Sequence, residues 1–241
     1  MDIQYSTALV TGANRGLGRA IAEALAAAGA KVYAASRSGT LAGPVAGGIV
    51  PVTLDVTDAA SIEAAADALG DVTVLVNNAG VALSGGPISA PSLDRARAEM
   101  ETNYFGTLAM ARAFAPLIAA NGGGAIVNVA SIVSHAPIPQ AGTYSASKAA
   151  VLSASLSMRA ELAPRAIRVL TVLPGFIETD MTANNDVPKI SPEAVAADIL
   201  AGLRGNAEEI YPGVAADLAR AFYADPKAHE RALAGRLEAA E

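Results

Sequence analysis

A chain of 241 residues in which 52% of the side chains are hydrophobic can bury one large core, and a net charge of −6 argues against a nucleic-acid surface. There is no cysteine, and the two histidines, His135 and His229, are far apart. Disulfide frameworks, thiolate nucleophiles, cysteine zinc sites and a metal-dependent alcohol dehydrogenase therefore fit poorly. No apolar run approaches the roughly 18–20 residues of a membrane span, and the start Met1-Asp2-Ile3-Gln4-Tyr5 has no signal-peptide character. The expectation is a cytoplasmic protein that engages neither nucleic acid nor membrane.

In chain order, a β-branched run predicts a strand over 7–10, which enters the turn Thr11-Gly12-Ala13-Asn14-Arg15-Gly16-Leu17-Gly18. A helix over 18–28 follows, with Gly29 at its C-terminal end. The strand over 31–34 leads to Ser36 and Arg37, and the strand over 49–54 ends at Asp55 and Val56. Asp58 is placed to cap a helix over 59–69. A strand over 72–76 precedes Asn77-Asn78-Ala79-Gly80, and a long helix over 93–120 contains Pro116, which should kink it. A strand over 125–129, a helix over 144–162 closed by Pro164, a strand over 168–172, a helix over 192–203 and a strand over 209–211 complete the pattern. The tail over 214–241 reads as surface helix with a break at Asp225-Pro226. Several strands are apolar on both faces, as in a parallel sheet covered by helices, so the repeated βαβ pattern predicts a single-domain, doubly wound, seven-stranded parallel sheet.

The glycines of the first turn carry a physical rationale. Gly12 permits the tight turn, Gly16 lets backbone approach a pyrophosphate, and Gly18 lets the helix pack on the strand. The spacing is G-x-x-x-G-x-G, in the position where a Rossmann-like fold binds a dinucleotide. An NAD site would place a carboxylate at the end of the second strand. This chain has Ser36 and Arg37 there, with Arg15 in the facing loop, which suits a 2′-phosphate and favours NADP(H) over NAD(H). From local sequence alone, Asp55 serves equally as an adenine acceptor or as a charge for the next helix.

Tyr144 and Lys148 stand four residues apart at the start of a helix, which stacks them on one face. A free tyrosine titrates near pH ~10, too high for proton exchange at neutral pH, and a neighbouring ammonium should lower it.

With these motifs the chain resembles the short-chain dehydrogenase/reductase family, in its single-domain branch, from Ser6 to Tyr211. The resemblance rests on the Thr11–Gly18 turn, Asn77-Asn78-Ala79-Gly80, Asn103 in Thr102-Asn103-Tyr104, and Ser131 thirteen residues before Tyr144. It continues through Lys148, Pro174-Gly175 and Ile177-Glu178-Thr179. It implies a hydride-transferring oxidoreductase acting on a carbonyl/alcohol pair, with Tyr144 as acid/base and Ser131 polarising the carbonyl. Lys148 would hold the nicotinamide ribose and lower the tyrosine pKa, and Asn103 would order a water in a proton relay. Asn14, Leu17 and Val56 belong to the implied nucleotide contacts with the three glycines, Arg15, Ser36 and Arg37. The resemblance also assigns Asp55 to the adenine and Asn78, Ala79 and Gly80 to the adenosine ribose. Pro174, Gly175, Ile177 and Thr179 would grip the nicotinamide carboxamide.

Two departures from the family pattern stand out. Only a short stretch, 181–190, lies where a long lid is common, and the last strand ends Glu209-Ile210-Tyr211-Pro212-Gly213 before a helical tail. The second departure weakens the case for the family's tetramer. It leaves intact a homodimer through the helices near 100–120 and 144–163, the latter rich in Ala149, Ala150, Ser153, Ala154 and Ser157. The pocket residues expected are Val81, Leu83, Ser84, Val133, Pro137, Ile138, Phe176 and Met181, mainly apolar, which favours a neutral or hydrophobic ketone or aldehyde. His135 is read as a pocket-wall or surface residue. Competing readings are a non-catalytic nucleotide-binding sensor, which would be expected to lose Tyr144, Lys148 or Ser131, and an NAD-dependent dehydrogenase working oxidatively. A nucleotide-sugar epimerase or dehydratase fits the glycine spacing poorly.

Overall fold

Alternate residues of the first strand, β1 (Thr7–Thr11), face opposite sides of one sheet, and each side is covered by helices. Ala8 and Val10 enter a core with Leu17, Ile21 and Leu25 of α1 (Gly16–Ala27) and Val195, Ile199 and Leu203 of α6 (Pro192–Arg204). Leu9 enters a second core with Ile62 of α2 (Ala59–Ala68), Met110, Phe114 and Ile118 of α4 (Gly106–Ala120), and Met158 of α5 (Gly142–Leu162). Each such side chain contributes about 1.5–3 kcal/mol on burial, so packing rather than helix propensity holds these elements in place. The structure is a computed structural model that describes residues 1–43, 47–83 and 85–238.

The remaining strands are β2 (Lys31–Ser36), β3 (Ile49–Thr53), β4 (Val74–Asn77), β5 (Gly124–Val129), β6 (Ile167–Val172) and β7 (Glu209–Ile210). They form one parallel sheet in the order β3-β2-β1-β4-β5-β6-β7, a Rossmann-like doubly wound arrangement. The strand order reverses direction between β1 and β4, and the crevice beyond their C-terminal ends is where such sheets bind ligands.

The expected strands and helices are all present, with shifted ends. Asp58 caps α2, its carboxylate accepting from the Ala60 N–H at 3.0 Å, and Gly29 follows α1 with φ +93°. The helix expected over 93–120 is not uniform. It is α3 (Asp94–Glu99), a π-type turn (Met100–Phe105) and α4, which runs on past Pro116 to Ala120. The departure from α-geometry thus falls at Asn103, and such π-turns recur at functional positions. α5 begins two residues earlier than expected, making Tyr144 the third residue of the helix. The tail divides into α7 (Ala215–Ala224) and α8 (Pro226–Glu238) at Asp225, and Ala215 and Ala219 pack on Ile132. Residues 239–241 of the expected tail lie outside the described residues. No described helix is long and apolar enough to cross a membrane.

Candidate active site

The turn after β1 is built around glycines that tolerate no side chain. Gly12 and Gly16 have φ of +65° and +55°, a region other residues rarely adopt. A Cβ on Gly18 would lie 2.3 Å from the Gly12 carbonyl and 2.4 Å from Asn78 Nδ2, so helix α1 approaches the strand as closely as backbone permits. Arg15, at the N-cap of α1, makes no side-chain cap. The first N–H groups of the helix therefore face the turn at the positive end of the helix dipole, a cradle that fits a pyrophosphate. Ala13 and Leu17 anchor it in the core, and the Asn14 carbonyl accepts from the Ala42 N–H at 3.1 Å.

At the end of β2, Ser36 is buried and its hydroxyl donates to the Thr40 carbonyl at 3.1 Å, while Arg37 is exposed. Arg37 lies near Asp55. The Asp55 carboxylate accepts from the Thr57 N–H at 2.9 Å and hydroxyl at 2.8 Å, and these bonds, helped by the Arg37 charge, hold its pKa below the ordinary value. Val56 is buried beneath Gly106. Arg15 departs from expectation. Rather than standing free beside Ser36 and Arg37, it reaches across the cleft to Asp180 at 2.5 Å, an exposed ion pair.

Thr11 organises the end of β4, a role its place in the motif did not reveal. Its hydroxyl accepts from the N–H groups of Asn78 and Ala79, both at 3.0 Å, and donates to the Val76 carbonyl at 3.2 Å. The Asn78 side chain turns back to the Thr11 and Gly12 carbonyls, at 2.9 and 3.3 Å, bracing the glycine turn. Gly80 comes next, where a Cβ would lie 3.1 Å from Asn103 Oδ1 and 3.5 Å from Lys148 Nζ. Asn103 is buried, and its amide binds both backbone groups of Val81 and the Ser147 hydroxyl at 2.9 Å.

Ser131, Tyr144 and Lys148 meet beyond β5. Helix α5 is pinned to that strand twice: Lys148 Nζ donates to the Val129 carbonyl at 2.7 Å, and Ser155 Oγ accepts from Asn128 Nδ2 at 2.9 Å. Lys148 is buried, which lowers its pKa to about 8. Burial pushes the Tyr144 phenol up to about 12, opposed by a hydrogen bond with Ser131 and reinforced by the Glu99 carboxylate. The ammonium turns to Val129 and lies 5.8 Å from the Tyr144 ring centre, and Ser131 is the group that favours ionisation.

The Pro174 carbonyl accepts from the Ile132 N–H at 2.9 Å and the Ser131 hydroxyl at 3.4 Å, joining the β5 and β6 ends. Gly175 faces Val214 at the start of the tail. Ile177 pairs with Ile190 in a parallel bridge that closes the base of the short 181–190 segment, and Thr179 packs over Gly16. Of the expected pocket residues, Val81 and Leu83 lie on the segment that Asn103 holds. Val133 and Phe176 are partly buried, Ile138 precedes α5, Pro137 and Met181 are exposed, and Ser84 lies outside the described residues. His135 is half-buried, meets the Tyr211 hydroxyl at 3.2 Å, and has its pKa lowered by burial.

Known proteins share this fold. The family model for short chain dehydrogenase matches residues 6–189. A short chain dehydrogenase from Burkholderia cenocepacia J2315, solved in complex with NADP, superposes with a TM-score of 0.92 at 44% identity over 97% of this chain and 99% of that one. The 3-oxoacyl-[acyl-carrier-protein] reductase of Vibrio cholerae serotype O1 is 39% identical over 187 residues, 73% of this chain and 70% of that protein. The mouse dehydrogenase/reductase SDR family member 7B is 39% identical over 137 residues, 55% of this chain. The chain spans only 42% of that protein and 57% and 54% of its Xenopus tropicalis and cattle counterparts. This chain belongs to the short-chain dehydrogenase/reductase family.

Proposed function

We propose that the protein is an NADP(H)-dependent oxidoreductase that interconverts a neutral or hydrophobic ketone or aldehyde and its alcohol. The observation that carries this is the meeting of Tyr144, Ser131 and Lys148 beyond the end of β5, on the same C-terminal edge of the sheet as a glycine cradle with no room for side chains. The Burkholderia relative's NADP complex supports the nucleotide, and exposed Arg37 with buried Ser36 supports a 2′-phosphate.

When bound, NADP(H) supplies or accepts the hydride. Gly12, Asn14, Gly16, Leu17 and Gly18 would hold the pyrophosphate at the α1 N-terminus, and Arg37 and Ser36 the 2′-phosphate. Arg15 would join them by exchanging Asp180 for the phosphate. Asp55, Val56, Asn78, Ala79 and Gly80 would line the adenosine, and Pro174, Gly175, Ile177 and Thr179 the carboxamide. In the reductive direction the Tyr144 hydroxyl donates its proton to the substrate oxygen, and in reverse it takes that proton back. The Ser131 hydroxyl donates a hydrogen bond to the same oxygen and polarises the carbonyl. Lys148, one turn along α5, would hold the ribose hydroxyls, and Asn103, which keeps Val81 and Ser147 in register, would order a relay water. We further propose a homodimer through the outer faces of α4 and α5, where Ser153, Leu156 and Ser157 are exposed.

A panel of ketones, aldehydes and alcohols followed by nicotinamide absorbance, with NADPH and NADH in parallel, tests this. The parent protein should reduce at least one neutral carbonyl. Tyr144→Phe should bind NADPH within about twofold of the parent yet lose roughly 10²–10⁴ in turnover, the usual worth of a positioned acid/base. Full activity in that variant removes Tyr144 from the role.

A further inference from the structure

The segment that follows β4 is held to one helix face by a ladder of side chains. Asn103 takes both backbone groups of Val81: Oδ1 accepts from its N–H at 2.8 Å, and Nδ2 donates to its carbonyl at 2.9 Å. One turn earlier, Glu99 Oε1 accepts from the Leu83 N–H at 2.8 Å. One turn earlier again, Arg95 Nη1 donates to the Leu83 carbonyl at 3.1 Å. Residues 95, 99 and 103 are spaced four apart and share a face, while Val81 and Leu83 are alternate residues of the held segment. From the other side, Gly85 is tied to the approach to Tyr144. Its N–H donates to the Gln140 carbonyl at 3.1 Å, and its carbonyl accepts from the Thr143 N–H at 3.4 Å and hydroxyl at 3.3 Å. Val81, Leu83 and Gly85 thus lie clamped between the face formed by residues 95, 99 and 103 and the start of α5, against the residue that precedes Tyr144.

Glu99 is the unusual member. It is fully buried, and its second oxygen, Oε2, has no hydrogen-bond partner among the described residues. A carboxylate in such a place costs desolvation energy that an apolar side chain would avoid, so its acceptor oxygen on Leu83 has a structural use that offsets the cost. Its charge also reaches Tyr144 and opposes ionisation of the phenol.

We propose that Arg95 and Glu99 are positioning residues that extend the hold of Asn103 by two helical turns and fix residues 81–83 as the wall against which substrate is oriented beside Tyr144. The substrate half of this rests on the oxidoreductase reading above; the hold on the segment does not.

Three full-length variants test it: Arg95→Met, at an exposed position; Glu99→Leu, which fills the space without an acceptor; and Glu99→Gln, which keeps an acceptor oxygen. Amide hydrogen exchange over 81–86 reads the hold. NADPH affinity and the separate kcat and KM for the panel ketone that the parent reduces fastest read its consequence. Arg95→Met and Glu99→Leu should speed exchange about tenfold, as expected for a lost hydrogen bond of ordinary strength, whereas Glu99→Gln should stay near the parent. KM should rise at least about fivefold in the first two, with NADPH affinity within about twofold in both and kcat within about twofold in Arg95→Met, the pattern of lost substrate binding. Unchanged exchange in Arg95→Met overturns the proposal, as does faster exchange with unchanged KM, or a Glu99→Gln variant that behaves like Glu99→Leu. Should Glu99→Leu fail to fold, Arg95→Met and Glu99→Gln decide the matter. Should the parent reduce no carbonyl, the oxidoreductase reading falls while the exchange measurements still sustain or overturn the clamp.

Discussion

Lys148 and Tyr144 lie one turn apart on α5, yet the lysine ammonium bonds to the Val129 carbonyl at 2.7 Å and stays 5.8 Å from the centre of the tyrosine ring. Each group is shifted by its own burial, and the two pKa values move in opposite directions: the phenol rises to about 12 and the ammonium falls to about 8. Burial penalises whichever form is charged, so both groups are pushed toward neutrality.

This fixes the sign of a pH profile. Lys148 is protonated below about 8 and neutral above it, while Tyr144 keeps its proton up to about 12. Reduction consumes a proton, and in the proposed role Lys148 grips the ribose hydroxyls as a three-donor ammonium, so kcat/KM for reduction should decline about tenfold per pH unit above an apparent pKa near 8. Steady-state rates across pH 6 to ~10 check this. A profile that stays flat to ~10 would mean that the lysine titrates at its ordinary value and that its burial is relieved in the working enzyme.

Cofactor choice should depend on Arg37 more than on Arg15. Arg37 is exposed at the end of β2 with Asp55 as its nearby charge, whereas Arg15 is already paired with Asp180. Arg37→Asp would remove the proposed charge-assisted contact to the 2′-phosphate, worth about 1.5–3 kcal/mol, so NADPH affinity should fall roughly tenfold to a hundredfold or more, with NADH nearly unaffected. Arg15→Ala should cost less, because the parent must first give up its ion pair. Titration of both cofactors by nucleotide fluorescence measures each; equal losses for NADPH and NADH would refute the 2′-phosphate assignment.

The dimer face can be tested without disturbing the core. Ser153 and Ser157 project outward from α5, whose opposite side carries buried Val151, Leu152 and Ser155. Ser153→Arg should leave the thermal midpoint within a few degrees, as surface substitutions usually do, and convert a dimer into a monomer in sedimentation velocity. A parent protein that sediments as a monomer would sink the assembly proposed here.

Much of the architecture was legible because it rests on local repeats. Strand–helix alternation follows from hydrophobic periodicity, and the glycine turn from positions where a side chain is sterically excluded, as Gly18 illustrates. The long helix was only partly legible. Nothing in the residues 93–120 distinguishes a uniform helix from one with a π-type turn at Met100–Phe105, since that turn is stabilised by bonds from Asn103 to Val81 and Ser147. Arg95 and Glu99 escaped notice for the same reason: spaced like an ordinary charged helix face, they gain meaning only once Leu83 lies alongside.

By itself the sequence determined the order of the elements, the cradle for a phosphate and the placement of Tyr144 and Lys148 on a common helical face, because each depends on spacing along the backbone. The tertiary structure alone decided that Lys148 bonds Val129, that Arg15 meets Asp180 across 165 residues of chain, and that Glu99 is buried within electrostatic reach of the phenol. Desolvation and long-range pairing depend on which distant segments come to share space. No local spacing encodes that, and the packing of helices on both faces of the sheet does.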